Sequence, residues 1–140
     1  MKTFLPFRTA PLLLVLGLLV FSFVIVLPSC TGPDPAGLQN ATNLSTRLTT
    51  LMNKAAVSTF SSNSNEIKEV SDELTKAEEH ATMQKRNKAI ANQWKILRTE
   101  QVVPFLARWK EAKLDKDFVK EAVAQVQKSL DAIKKAEKAK

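Results

Sequence analysis

The sequence predicts an all-α fold: an antiparallel bundle of three to four amphipathic helices behind a cleaved N-terminal signal peptide. Three observations carry this. After Gly37 there is no glycine, and after Pro35 the only proline is Pro104; a chain so poor in turn formers makes few tight hairpins. Alanine, lysine, glutamate, glutamine and leucine, all good helix formers, dominate the same region. Apolar residues there recur at three- and four-residue intervals, with no alternating strand pattern.

The chain divides at its start. Lys2 and Arg8 precede an uncharged apolar run from Pro11 to Leu27. A membrane span needs about 20 apolar residues; this run is slightly shorter and Pro28 stops it. Positive charge lies only on its N-terminal side, so the head stays in the cytoplasm and the remainder crosses. The run ends at small residues and the single cysteine, Cys30, the shape of a secretory signal whose cleavage leaves cysteine at the new N-terminus. One cysteine forms no internal disulfide, so its position at the end of the run reads as an attachment point. The expected organisation is a signal peptide over 1–29, an attachment cysteine and short tether over 30–37, and a helical bundle over 38–140.

Leu27-Pro28-Ser29-Cys30 resembles the lipobox of bacterial lipoproteins: an aliphatic residue, a small residue, a glycine, alanine or serine, then cysteine. Leu27, Ser29 and Cys30 match it, and Pro28 stands where the family carries a small residue. The resemblance covers about the first quarter of the chain. It implies lipid on the Cys30 sulfur, cleavage by signal peptidase II, and acylation of the new amine. At about 0.8 kcal/mol per buried methylene, two or three acyl chains give stable anchoring. The alternative is an uncleaved single-span anchor with an extracytoplasmic helical domain. Thr31 follows the cysteine where enteric inner-membrane lipoproteins often carry aspartate, which by that resemblance points to the outer membrane. The expected location is the cell envelope, with the domain facing the periplasm or the cell exterior.

Residues 31–37, with two prolines and two glycines, read as a stiff tether that prevents helix. The first helix is expected over about 38–60, with Leu44, Leu48, Leu51 and Ala55 in one stripe and Leu38, Ala41 and Met52 beside it. Residues 61–65 break it, and Asn63 with Glu66 resembles a capping pair. A second helical region, 64–112, begins with Ile67, Val70, Leu74, Ala77 and Ala81 on one face.

Near 83–88 the stripe changes phase, which means either a turn or a bend. The absence of glycine and proline there favours one long helix. An acidic stretch (Glu66, Glu69, Asp72, Glu73, Glu78, Glu79) followed by a basic one (Lys85, Arg86, Lys88, Lys95, Arg98) favours folding back. Exposed pairs contribute only about 0.2–1 kcal/mol each, so charge is not decisive. The following stripe, Ile90, Trp94, Leu97, Gln101, Phe105 and Trp109, stays in phase across Pro104, where the lost hydrogen bond to the Glu100 carbonyl predicts a kink. Asp115 reads as the N-cap of a last helix over 116–138, whose broad apolar face includes Val119, Val126, Leu130 and Ile133. Lys134, Lys135, Lys138 and Lys140 gather at its end, where cations complement the helix dipole.

No catalytic constellation is present in the sequence. There is no GxSxG, Walker loop or HExxH motif. His80, the only histidine, has Met83 three residues on, but position 77 is alanine, so the Glu-x-x-His of di-iron bundles is absent. His80 therefore reads as a surface residue, and neither a metal nor a cofactor is expected beyond covalent lipid on Cys30. Trp94, Gln101, Phe105 and Trp109 form the richest aromatic group. They read first as core and second as a partner groove opened at Pro104, with Gln101 as its polar group.

Removal of residues 1–29, which carry Lys2 and Arg8 and no acid, takes the formal charge from +7 to +5; this suits membrane lipid or an anionic envelope polymer, and a protein partner is the other expectation. Nothing resembles a nucleic-acid recognition motif. Leu97-Arg98-Thr99-Glu100-Gln101 is similar to the LTxxQ motif of Spy/CpxP envelope chaperones, with an arginine between leucine and threonine. The expected function is thus a non-enzymatic, membrane-anchored helical lipoprotein. Its alternative is a chaperone-like or stress-response protein of the periplasm.

Overall fold

The computed structural model describes residues 32–84 and 87–139. The described residues are helical, with no strand among them: α1 (Pro35–Lys54), a 3-10 turn (Ser61–Asn63), α2 (Ser64–Met83), α3 (Lys88–Ile96), a π-helical segment (Leu97–Val102), α4 (Val103–Glu111) and α5 (Lys116–Lys138). The segment from α3 through α4 runs without a break, so the fold is a bundle of four helical rods. α1 packs on α2 and α5, α2 on α3, and α3 with its π-helical extension on α5, closing a ring. Connections of a few residues make successive rods antiparallel. Among the described residues, no helix is long and apolar enough to cross a membrane.

Each rod is placed by the apolar face its sequence carries. Ala41, Leu44, Leu48, Leu51 and Met52 of α1 are buried, as are Ile67, Val70, Leu74, Ala77 and Ala81 of α2. Val119, Val126, Leu130 and Ile133 of α5 complete the core, and Leu130 and Ile133 have no exposed area. At about 1.5–3 kcal/mol per large aliphatic side chain, this shared core outweighs every surface contact in the molecule.

Several boundaries differ from expectation, each for a local reason. Helix α1 starts at Pro35, inside the stretch expected to resist helix. The Asp34 carboxylate accepts from the Ala36 and Gly37 amides, both at 3.1 Å, and Pro35 occupies the first helical position, where a missing N–H costs nothing. The same helix ends at Lys54, short of residue 60, and continues as hydrogen-bonded turns, with the Val57 and Ser58 amides donating to the Lys54 carbonyl. Asn63 precedes α2 without capping it: its amide donates to the Ser58 hydroxyl and the Thr59 carbonyl.

The favoured single long helix over 64–112 is corrected. Helix α2 ends at Met83 and α3 begins at Lys88, with Gln84 (φ −74°, ψ 88°) leaving helical space. Met83, the last residue of α2, is 75% exposed. The turn brings Arg98 to Glu78, its Nε and Nη2 both donating to the carboxylate, so the acidic and basic stretches do face each other. The hydrogen bond to Glu78 raises the Arg98 pKa above its ordinary value, partial burial opposes this, and the Glu78 charge adds to the rise. Residues 85 and 86 lie outside the described residues.

Just before Pro104, where a kink is expected, the helix widens into the π-helical segment. Pro104 has no N–H to give the Glu100 carbonyl, and the preceding turn opens so that the Val103 amide donates to Arg98, five residues back. A π turn places residues five apart on one face. Leu97 and Val102 are accordingly both buried, and Gln101 is only half-buried.

Candidate functional site

The residues singled out in the sequence fall into three places. Leu27, Pro28, Ser29 and Cys30 lie outside the described residues. Trp94 and Trp109 are core, each 1% exposed. Trp109 donates its ring N–H to the Ser58 carbonyl at 3.1 Å and meets Phe60 edge-on at 5.8 Å between centroids. These contacts satisfy the polar tip of a buried indole and tie α4 to the turn after α1. The two tryptophans are therefore not open to a partner.

Gln101 and Phe105 do border a surface groove. It lies between the π-helical segment, α4 and α5, with a volume of about 260 Å³. Pro104, Phe105, Phe118 and Ala122 supply apolar lining, and Glu100, Arg108 and Glu121 supply charge. Phe105 and Phe118 stack at 6.1 Å with their planes 6° apart, and the Arg108 guanidinium lies 5.0 Å from the Phe118 centroid. Gln101 is not a free polar group in this groove. Its amide nitrogen donates to Ser129 Oγ at 2.8 Å, and Ser129 Oγ lies 3.1 Å from its amide oxygen. That pairing crosses from the π-helical segment to α5 and accounts for a glutamine within an apolar stripe.

A third place was not foreseen from sequence. Where the described chain begins, Asp34 caps α1 through Oδ1, and its Oδ2 lies 2.8 Å from His80 Nε2 near the end of α2. Glu137, in the last turn of α5, is 1% exposed. A Cβ built on Gly37 would lie 2.7 Å from Glu137 Oε1 and 3.0 Å from Asp34 Oδ2. Gly37 thus lets the buried carboxylate of Glu137 approach the first turn of α1, where a Cβ would force the Glu137 side chain to shift. His80 is in contact with Asp34, not an isolated surface residue. Among the described residues, no group of three His, Cys, Asp or Glu side chains could hold a metal ion.

A second polar bridge lies midway along the bundle. Gln127 of α5 accepts from Ser45 Oγ at 3.0 Å, and its amide donates to the Ser45 carbonyl at 3.1 Å and to Thr49 Oγ1. Arg47 pairs with Glu69 at 3.0 Å and with Glu73 across the α1–α2 seam, and Lys54 pairs with Glu66. These contacts hold neighbouring rods in register. Among the described residues, polar bridges between rods thus surround a closed core, and an amphipathic groove lies at its surface.

No family model, no curated protein and no solved structure matches the chain.

Proposed function

We propose that this chain is a small lipid-anchored helical lipoprotein of the bacterial envelope with a binding or structural role, not an enzymatic one. The observation that carries the reading is Leu27-Pro28-Ser29-Cys30 at the end of an uncharged apolar run. Its supporting geometry is the short distance from that cysteine to the bundle. Asp34, four residues beyond Cys30, already caps α1 and contacts α2. Four residues span at most about 14 Å, so a lipid on Cys30 holds the bundle against the bilayer. The partners in this reading are membrane lipid through Cys30, with a protein or an anionic envelope polymer bound by the folded part. The groove at Gln101, Phe105 and Phe118 is the candidate contact for a protein partner.

The chaperone-like alternative needs continuous exposed apolar surface. The large apolar side chains exposed among the described residues are Val57, Met83 and Val103, at separate places on the bundle. That distribution favours the binding or structural role.

Metabolic labelling with palmitate tests the anchor. The native chain is expected to take up label and the Cys30→Ala variant to take up none. Label that persists in Cys30→Ala would overturn the reading. An unlabelled native chain that stays in the membrane at full length would point to the uncleaved span.

A further inference from the structure

The fold gathers basic residues that are far apart in sequence at the one end of the bundle nearest the anchor. Helix α1 begins there, beside His80 of α2 and Glu137 of α5. The α2–α3 turn is at the same end, so Lys88 is too, and the last turn of α5 adds Lys135 and Lys138. All three lysines are exposed. Among the described residues an ion pair holds Lys134 to Asp131, and none holds these three. Met83, at the same turn, is 75% exposed. At the same end Asp34 is in contact with His80, Glu78 pairs with Arg98 and Glu137 is buried, which leaves Glu79 as the exposed acid near the end of α2; at the opposite end, between α4 and α5, Lys110, Lys113 and Lys116 alternate with Glu111, Asp115 and Asp117.

We propose that this end, presented by Lys88, Lys135 and Lys138, is a docking surface for the anionic headgroups of the membrane that carries the anchor. The inference rests on the anchored reading above. Two magnitudes select lipid as the occupant. The four residues from Cys30 to Asp34 reach no more than about 14 Å at full extension, so this end cannot leave the neighbourhood of the headgroups. The electrostatic attraction of a negative membrane decays over a Debye length of about 8 Å at physiological salt, and a 20-residue helix such as α1 is about 30 Å long. Charges at the near end therefore feel the surface, and those at the far end are screened from it. Each near lysine biases the docked orientation by about fivefold. The bundle then stands upright on the membrane, with the groove at Phe105 and Phe118 facing along its side.

The test uses the lipid-carrying protein purified from membranes, placed in vesicles of neutral phosphatidylcholine and in vesicles containing about 30% phosphatidylglycerol. Lysines are acetylated with a water-soluble reagent and the sites quantified by mass spectrometry. Labelling of Lys88, Lys135 and Lys138 is expected to slow at least about fivefold on the anionic vesicles and to recover in about 0.5 M salt. Lys113 and Lys116 are expected to label equally on both. Equal labelling of the near lysines on the two vesicle types overturns the docking surface, whether or not the chain is retained. Retention through a high-salt wash reports the anchor separately, and loss from both vesicle types refutes the anchored reading. In Lys88→Gln/Lys135→Gln/Lys138→Gln, Lys134 is expected to label equally on the two vesicle types while the helical circular dichroism is unchanged. A difference that survives in that variant also overturns the proposal.

Discussion

Replacing Gly37 by alanine should destabilise the bundle, although alanine is by far the better helix former. Propensity alone predicts a gain of up to about 1 kcal/mol. The structure opposes it with two contacts. The new methyl would sit 2.7 Å from Glu137 Oε1 and 2.8 Å from Glu137 Cδ, closer than such atoms approach, and 3.0 Å from Asp34 Oδ2. Glu137 is 1% exposed, so its carboxylate cannot swing into water without carrying the end of α5 with it. Disturbing the contacts of a buried charged group costs about 1.5–3 kcal/mol, and loosening the Asp34 cap about 0.5–2 kcal/mol. Against the propensity gain, the net loss is about 1–4 kcal/mol. For a domain of this size that lowers Tm by about 5–25 °C. Urea and thermal unfolding of residues 32–140, followed by circular dichroism, would measure it. Adding Glu137→Ala should shrink the penalty of Gly37→Ala by more than half, because the methyl then has room. A Gly37→Ala variant as stable as the parent, or more so, refutes the claim that this glycine exists for close approach.

Trp109→Phe removes the 3.1 Å bond to the Ser58 carbonyl and leaves that acceptor partly buried; a loss of about 2–3 kcal/mol is expected by urea unfolding. Asp34→Ala removes both the cap of α1 and the partner of His80, and should cost about 1–2 kcal/mol, with Asp34→Asn retaining most of the cap and so most of the stability. Gln101→Ala breaks the bridge to Ser129 and should cost about 1 kcal/mol, whereas Glu100→Ala on the neighbouring exposed position should cost under about 0.5 kcal/mol. The Arg98 pKa is raised, so its stabilisation is present in full below the ordinary arginine range and is lost only as pH rises through the still higher folded value. The difference in unfolding free energy between native chain and Arg98→Gln is therefore expected to stay flat from about pH 7 to about pH 10; a steady decline over that range would show that another group is responsible.

Much of the bundle could be read from the chain because burial and helical period coincide. The stripe from Ile67 to Ala81 and the face from Val119 to Ile133 are as the spacing predicts, and α5 runs over the expected residues, capped by Asp115 through the Asp117 and Phe118 amides. The turn after Met83 was hidden because no glycine or proline marks it. Its signal was the change of phase at Ile90, which a single straight helix could not bury on both sides. The π-helical segment was hidden for a related reason. Gln101 and Val102 are adjacent candidates for one face, and only the five-residue step from Leu97 decides between them. The start of α1 did carry a signal that the count of prolines obscured: aspartate immediately before proline is an N-cap followed by the first helical position. The Gly37–Glu137 approach joins the two extremes of the bundle, and no local pattern encodes it.

The closure of the ring has a consequence for how the molecule is made. Its first rod finishes its core against its last: Gln127 meets Ser45 across 82 residues of sequence. A chain synthesised from its N-terminus therefore holds α1 with one apolar flank open until α5 arrives. Contacts of such separation are formed late, because a long loop must close before they reward it. The maturing polypeptide thus passes through an interval in which Leu44, Leu48 and Leu51 lack their final neighbours, and the stretch from Lys116 onward acts as the bolt that shuts it.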